Sequence, residues 1–97
     1  MKPYEIHDGA TSDLEAALAY YDRASAGTGR RFLLAVDESI QKLLFDPSAR
    51  PVIAGEVRRQ PVDGFPHQIL YIDEPHRVWI VAVAHYKRRS TYWLNRL

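Results

Sequence analysis

The segment RVWIVAVAH, residues 77–85, decides the fold of this 97-residue chain. Every residue from 78 to 84 is apolar, and most are β-branched or aromatic. A run of this kind, between a turn and a group of charges, predicts a β-strand that is covered on both faces. The period of two of a strand predicts two faces, with Val78, Ile80, Ala82 and Ala84 on one and Trp79, Val81, Val83 and His85 on the other. We therefore expect this segment to be the core strand of a sheet.

The strand is followed at once by a concentration of basic side chains. His85 ends the run, and Lys87, Arg88 and Arg89 come directly after it. Since the strand is expected to be buried, its exit is where these side chains can reach a ligand or partner. We predict that this exit is the working surface of the protein.

Composition bounds the class of protein. The chain is long enough for one domain with one core, and its hydrophobic fraction of 46% and charged fraction of 26% are ordinary for a globular protein. Without cysteine it has no disulfide, zinc–thiolate site or cysteine nucleophile. No apolar run approaches the roughly 20 residues that cross a bilayer, and the first residues do not resemble a secretory signal. We expect a cytoplasmic protein.

Charge is distributed unevenly along the chain. The formal net charge is +1, but residues 1–49 hold five Lys/Arg against eight Asp/Glu, whereas residues 50–97 hold eight against four. The C-terminal half is therefore expected to build a basic face. Such a face suits phosphate groups or an acidic protein partner, although an ordinary solvated surface would give the same count.

Two amphipathic helices are predicted in the N-terminal half. A short edge strand at residues 4–7 and a turn at Asp8-Gly9 precede Ser12 and Glu15, which have the spacing of a capping box. The two predicted apolar stripes are Leu14, Ala17, Leu18 and Tyr21 in the first helix, and Leu33, Val36, Ile40, Leu43 and Leu44 in the second. The second helix is expected to begin near Gly29 and to end before Pro47. The short connection between the helices predicts an antiparallel hairpin.

Strand signals fill the rest of the chain. Residues 56–62 carry Arg58 and Arg59, a turn follows at residues 63–66, and His67–Asp73 forms the next strand before residues 77–85. The predicted order is β-α-α-β-β-β, with a short tail after residue 89. Two helices on one face of a mostly antiparallel sheet make an α+β fold with a single domain over residues 1–97.

Few kinds of site fit the remaining polar residues. The histidines at 7, 67, 76 and 85 share no spacing typical of metal ligands, and no glycine-rich phosphate loop follows a strand. We expect neither a metal nor a cofactor. What remains is a basic and aromatic set: Arg58, Arg59, His67, Tyr71, His85, Lys87, Arg88, Arg89, Tyr92, Trp93 and Arg96.

This set has two interpretations. Arginines bind phosphate and carboxylate through paired N–H groups, aromatic rings stack on unpaired bases, and a histidine among arginines can transfer protons in RNA cleavage. Alternatively, His85 is a satisfied sheet histidine, and Tyr92 and Trp93 belong to a tail that packs on the core. Tyr71 and Trp79 are more readily explained as core residues.

Two segments resemble a known superfamily. FPHQILY, residues 65–71, is similar to the F-P-Y-x-I-x-Y segment of the RelE/ParE superfamily of bacterial toxins. AVAHYKRRSTYWLNR, residues 82–96, is similar to its A-V-x-H-x-x-R-x-P-x-Y-W-x-x-R ending. Together with the helical hairpin and the Arg58-Arg59 strand, the resemblance spans nearly the whole chain. His67 replaces the usual tyrosine, and Ser90 replaces the usual proline.

The resemblance implies the toxin half of a type II toxin–antitoxin pair, neutralised by a small antitoxin encoded beside it and forming a hetero-oligomer with it. ParE-like members block DNA gyrase without being enzymes, and the ending seen here, of the plasmid-stabilisation type, favours that target. The scarcity of lysine on the helices, where only Lys42 lies, favours it too.

Two other functions remain open. A RelE-like toxin would cut messenger RNA on the ribosome, with His85, Arg58 and Arg88 as catalytic residues. A domain that only binds its antitoxin would have no toxicity. For binding of a target or antitoxin the resemblance implies a wider set: Arg58, Arg59, His67, Lys87, Arg88, Arg89, Tyr92, Trp93 and Arg96.

Overall fold

Two helices and a five-stranded sheet form the fold in the computed structural model, which describes residues 1–97. The elements are β1 (Tyr4–Ile6), α1 (Asp8–Ala24), α2 (Thr28–Phe45), β2 (Val52–Ala54), β3 (Val57–Pro61), β4 (His67–Asp73) and β5 (Val78–His85). The strand order is β1-β5-β4-β3-β2; β1 runs parallel to β5, and the other pairs are antiparallel. The predicted α+β class and mostly antiparallel sheet are confirmed. Neither helix has the length and apolar character needed to span a membrane.

The predicted core strand lies between β1 and β4, but its alternation is interrupted. Tyr71 of β4 pairs with Ile80 while its neighbour Leu70 pairs with Ala82, so Val81 is an extra residue in a β-bulge. Beyond the bulge the faces exchange, and Val83 joins Ile80 on the helix side of the sheet. The predicted strict alternation over residues 77–85 is therefore wrong, because a bulge shifts the period by one residue.

The first helix begins earlier than the capping-box pattern predicts. The His7 side chain accepts a hydrogen bond from the Gly9 N–H through Nδ1 at 2.8 Å, and the His7 N–H donates to the Ile80 carbonyl at 2.9 Å. His7 thus ends β1 and caps α1 at once, so no turn is needed at Asp8. Ser12 lies inside the helix and does not cap it.

The second helix packs through Phe32 and not through Leu33. Phe32 is fully buried, whereas 43% of Leu33 is exposed. Either residue fits the helical period with Val36, Ile40 and the leucines after it, so the pattern could not choose between them. The sequence interpretation also omitted β2, since three exposed residues with no polar alternation give little strand signal.

Both faces of the sheet are covered. The two helices bury one face around residues such as Phe32, Ile69, Tyr71 and Ile80. The C-terminal tail covers the other face through Trp93, which is 2% exposed and packs with the second cluster. The tail after β5 is therefore part of the core, which agrees with the second interpretation of Tyr92 and Trp93.

An ion pair closes the edge of β5 where β1 ends. The pairing of β1 reaches only Ile80, and beyond it the Val83 N–H donates to Asp13 of α1 at 3.1 Å. Arg96 of the tail donates to both carboxylate oxygens of Asp13, at 2.8 and 3.1 Å, and to the Val81 carbonyl at 3.0 Å. These side chains satisfy strand groups that would otherwise be unpaired in a partly buried position.

The same ion pair constrains the start of α1. A Cβ atom at Gly9 would lie 2.4 Å from Nε of Arg96, well inside contact distance. Glycine is needed there because the guanidinium passes directly over the helix backbone.

We predict that Arg96→Ala lowers the free energy of unfolding by about 3–5 kcal/mol, the typical cost of leaving one member of a buried ion pair alone. The side chains of Arg96 and Asp13 are only 14% and 7% exposed. The matched control is Lys42→Ala, which breaks the exposed pair with Asp63 and should cost no more than about 1 kcal/mol. Urea denaturation measures both variants; equal losses would contradict the prediction.

Candidate functional site

A groove of about 460 Å³ opens where β5 ends and β4 begins. The sheet contributes the cross-strand pair His67 and His85, whose ring centroids are 5.0 Å apart, and α1 contributes two tyrosines. The lining residues are Ala17, Tyr20, Tyr21, Pro66, His67 and His85. Two predicted site residues are thus brought together in one concave surface.

His67 forms the inner wall of the groove. It is 5% exposed, its Nδ1 lies 3.4 Å from the Tyr21 hydroxyl, and it packs against Phe32 at 4.8 Å between ring centroids. Burial, together with a smaller effect of repulsion from His85, lowers the pKa of His67 from 6.5 to about 4. Near neutral pH the imidazole is therefore neutral.

His85 is half-buried at the rim of the groove. Its Nδ1 accepts a hydrogen bond from the Lys87 backbone N–H at 3.0 Å, which assigns the proton of the neutral ring to Nε2. In this state Nε2 is a hydrogen-bond donor, and the acceptor nitrogen is occupied by the chain itself. The arrangement suits donation to a partner better than abstraction of a proton.

The three cations after β5 are free of acidic partners. Lys87, Arg88 and Arg89 are exposed and take part in no ion pair. A tight turn, with the Arg88 N–H donating to the His85 carbonyl at 2.9 Å, places them beside the groove. The guanidinium of Arg88 stacks over the Tyr92 ring at 4.0 Å. The predicted basic exit of the core strand is present as a compact group.

The arginines of β3 lie elsewhere. Arg58 pairs with Tyr71, four residues from His67 along β4, so it is roughly 14 Å along and roughly 10 Å across the sheet from His85. Its guanidinium donates to the carbonyls of Ser48 and Arg50, at 3.1 and 2.6 Å. The residues predicted as one catalytic set are therefore not assembled at one point.

Arg59 points to the opposite face of the sheet. It pairs with Leu70, which belongs to the tail-covered cluster, and it donates to Oε1 of Gln68 at 3.0 Å. Its side chain is half-buried and meets no carboxylate. It remains a predicted binding residue on a surface separate from the groove.

Four of the candidate residues have structural roles. Tyr71 is fully buried and donates to the Pro47 carbonyl at 2.6 Å, and burial raises its pKa to about 12. Trp93 fills the second core cluster, and Arg96 pairs with Asp13. Tyr92 donates to Asp13 at 2.9 Å, and burial followed by this hydrogen bond raises its pKa. Such roles match the alternative in which the tail packs on the core.

Sequence reasoning missed Tyr20 and Asp13. Tyr20 is 60% exposed at the groove, one residue outside the apolar stripe that included Tyr21. Asp13 lies one turn before Ala17, so a carboxylate falls within the apolar stripe of α1. That position was the available signal, because a buried acid requires a partner.

A second depression, of about 480 Å³, lies at the other end of the sheet. Its carboxylates are largely neutralised, since Lys2 pairs with Asp73 and Arg77 pairs with both Glu5 and Glu74. No group of three His, Asp or Glu side chains converges here or beside His67 and His85. Lys2 and Arg77 at this end of the sheet are thus engaged in ion pairs, whereas Lys87, Arg88 and Arg89 beside the groove are not.

We predict that the stability of the protein falls between pH 6.5 and about pH 4 because of His67. In this window His67 is protonated in the unfolded chain but neutral in the folded chain, so lowering the pH favours unfolding. The contribution of His67 to the free energy of unfolding is fully present above pH 6.5. About 2 to 3 kcal/mol of it is lost by pH 4.5.

The measurement is urea denaturation of the wild type and of His67→Phe at pH 7 and pH 4.5. The variant retains an aromatic ring against Tyr21 and Phe32 but cannot titrate. Its loss of stability on acidification should be smaller than that of the wild type by this amount. An NMR titration in which the His67 ring protonates near pH 6.5 would contradict the prediction.

Comparisons with known proteins agree with this architecture. A search of curated proteins found no match. Among solved structures, a chain from the chromosomal ParDE TA system of P. aeruginosa has a TM-score of 0.78 at 16% sequence identity, over 88% of this chain and 96% of that one. At that identity the likeness concerns the fold. The family model for the ParE toxin of the type II toxin–antitoxin system parDE matches residues 4–89, nearly the whole chain, and the protein therefore belongs to the ParE toxin family.

Proposed function

We propose that this toxin acts in the cytoplasm by binding DNA gyrase, without catalysing a reaction, and that a cognate antitoxin neutralises it. The groove end of the sheet is the surface that would meet the target. The proposal combines membership of the ParE toxin family with the charge pattern at that end.

The observation that carries the proposal is the group of free cations at the exit of β5. Lys87, Arg88 and Arg89 are consecutive, exposed and without an acidic partner, and they lie beside the groove. The other exposed cations without a carboxylate partner, Arg23, Arg30 and Arg31, lie on the two helices. Unpaired cations beside a half-open aromatic groove suit an acidic protein surface, because complementary charge steers association and apolar contacts hold the complex.

Ribonuclease chemistry receives less support from the geometry. A general base must lie within hydrogen-bond reach of the proton it takes, yet Nδ1 of His85 already accepts the Lys87 N–H. A guanidinium that stabilises the transition state must reach the same phosphate, and Arg58 is turned toward the loop after α2. Only Arg88 of the predicted catalytic set lies near His85.

The antitoxin is expected to place acidic side chains against the cations that the fold leaves available. Arg88 and Arg59 have no carboxylate partner, and Arg58 is already engaged with two carbonyls. A segment of the antitoxin that orders on binding could cover both the groove and the tail-covered face. Neutralisation would then follow from occupation of the surface that meets gyrase.

We predict that the purified protein inhibits supercoiling by gyrase and that Arg88→Glu/Arg89→Glu weakens inhibition by at least about tenfold, since reversed charges repel an acidic surface. The matched control is Arg30→Glu/Arg31→Glu, which makes the same change of net charge on exposed residues of α2. Inhibition is measured over a range of salt concentrations, because screening should reduce the difference between the variants.

Two results would contradict this prediction. One is an equal loss in the two double variants, which would show a response to net charge alone. The other is site-specific cleavage of messenger RNA by the purified protein on ribosomes that is lost in His85→Ala, which would establish the endoribonuclease function instead. With gyrase as the target, a folded His85→Ala should retain inhibition within a few-fold.

We also predict that the product of the adjacent gene co-purifies with this chain and restores growth to cells in which the toxin is induced. Arg59→Glu should weaken the complex, because Arg59 is half-buried on the tail-covered face without a charged partner. Co-expression followed by affinity purification gives the first result and a growth assay gives the second. A neighbour that neither binds nor restores growth would reject the assignment of that partner.

A further inference from the structure

We propose that Asp13 and Tyr92 are positioning residues that fix the guanidinium of Arg88 for contact with a carboxylate of the target. The role rests on the proposed function for its biological meaning, but the positioning itself can be tested without it. Neither residue is expected to touch the target.

The contacts form a continuous chain from α1 to the basic turn. Asp13 accepts a hydrogen bond from the Tyr92 hydroxyl at 2.9 Å, which fixes the ring against the helix. The guanidinium of Arg88 lies over this ring, 4.0 Å from its centroid. A side chain of the first helix thus determines the place of a cation 75 positions later in the chain.

Two guanidiniums share the Tyr92 ring, and the arrangement needs Asp13 for a second reason. Arg96 lies 5.0 Å from the same centroid. Two uncompensated cations beside one ring would repel each other, but the carboxylate of Asp13 neutralises Arg96 at 2.8 and 3.1 Å. The ring is therefore left available to Arg88.

Arg88 differs in this respect from its neighbours. Lys87 and Arg89 have no side-chain hydrogen bond and no aromatic ring beneath them, whereas the guanidinium of Arg88 lies over the Tyr92 ring, which Asp13 holds in place. Stacking leaves the N–H groups at the edge of a guanidinium free to bind a carboxylate through two bonds. A pre-organised arginine loses less conformational entropy on binding than a free one.

The first test is spectroscopic and uses the free protein. The ring current of Tyr92 should shift the side-chain protons of Arg88 upfield relative to those of Arg89. Tyr92→Leu should abolish this shift, and Tyr92→Phe, which retains the ring but not the bond to Asp13, should reduce it. Tyr86→Leu is the control, because Tyr86 lies in the same turn, is 49% exposed and does not stack with the guanidinium of Arg88.

The second test is a double-mutant cycle on inhibition of gyrase supercoiling, with Arg88→Ala, Tyr92→Leu and the double variant. Tyr92→Leu should weaken inhibition by roughly two- to thirtyfold, the range of cation–π and ordering effects. If Tyr92 acts through Arg88, the double variant should be no weaker than Arg88→Ala. A merely structural role predicts losses that multiply, and urea denaturation identifies a variant that fails to fold.

Different results would overturn different claims. An Arg88 shift that is absent in the wild type, or that persists in Tyr92→Leu, overturns the positioning role of Tyr92. A shift that is unchanged in Tyr92→Phe overturns the part assigned to Asp13. If the wild type does not affect gyrase, the proposed function fails; the cycle is then scored on growth arrest of induced cells, where multiplying losses would overturn the inference.

Discussion

The ion pair between Asp13 and Arg96 is the interaction on which the rest of the structure depends. β1 is three residues long and β5 is eight, so the edge of β5 is left open beyond Ile80. Asp13 and Arg96 fill that gap by bonding the Val83 N–H and the Val81 carbonyl. In doing so they join α1 on one face of the sheet to the tail on the other. The carboxylate is fully satisfied, since it also accepts from Tyr92, and this explains how a charge can remain so deeply buried.

Charge asymmetry between the halves of the chain has a structural use. Four ion pairs connect the acidic N-terminal half with the basic C-terminal half: Lys2 with Asp73, Glu5 with Arg77, Asp13 with Arg96, and Lys42 with Asp63. Two of the four use an acid of the first half and an arginine of the second. Lys87, Arg88 and Arg89 take part in none of these pairs and remain as three consecutive exposed cations. Arg23, Arg30 and Arg31 are also exposed and unpaired but lie on the helices, so it is the clustering beside the groove that distinguishes the basic turn.

Sequence was sufficient for the architecture and for part of the site. The apolar run of β5, the short connection between the helices, Pro47 and the turn before His67 are local signals, and they gave the bounds of β4 and the order of every element except β2, which was missed. The bulge at Val81 could not be predicted, because it depends on pairing with a distant strand. The bonds of Tyr92 and Arg96 to Asp13 could not be predicted either. In a sequence, an arginine that pairs with a buried acid cannot be told apart from an exposed arginine that binds a partner. Asp13, within an apolar stripe, was the one local signal of that difference.

The basic turn that carries Lys87, Arg88 and Arg89 lies between two segments that are packed into the fold, β5 and the C-terminal tail. β5 is held by strands on both sides, and the tail is held by Trp93 in the core and by Asp13. The turn that joins them is thus anchored at both ends, and the Tyr92 ring holds the guanidinium of Arg88. His67 adds no charge near neutral pH, because burial keeps it neutral, and the local field therefore comes mainly from fixed cations. Attraction of an acidic partner from a distance is then set by ionic strength, and the aromatic groove supplies the short-range contact that distinguishes one partner from another.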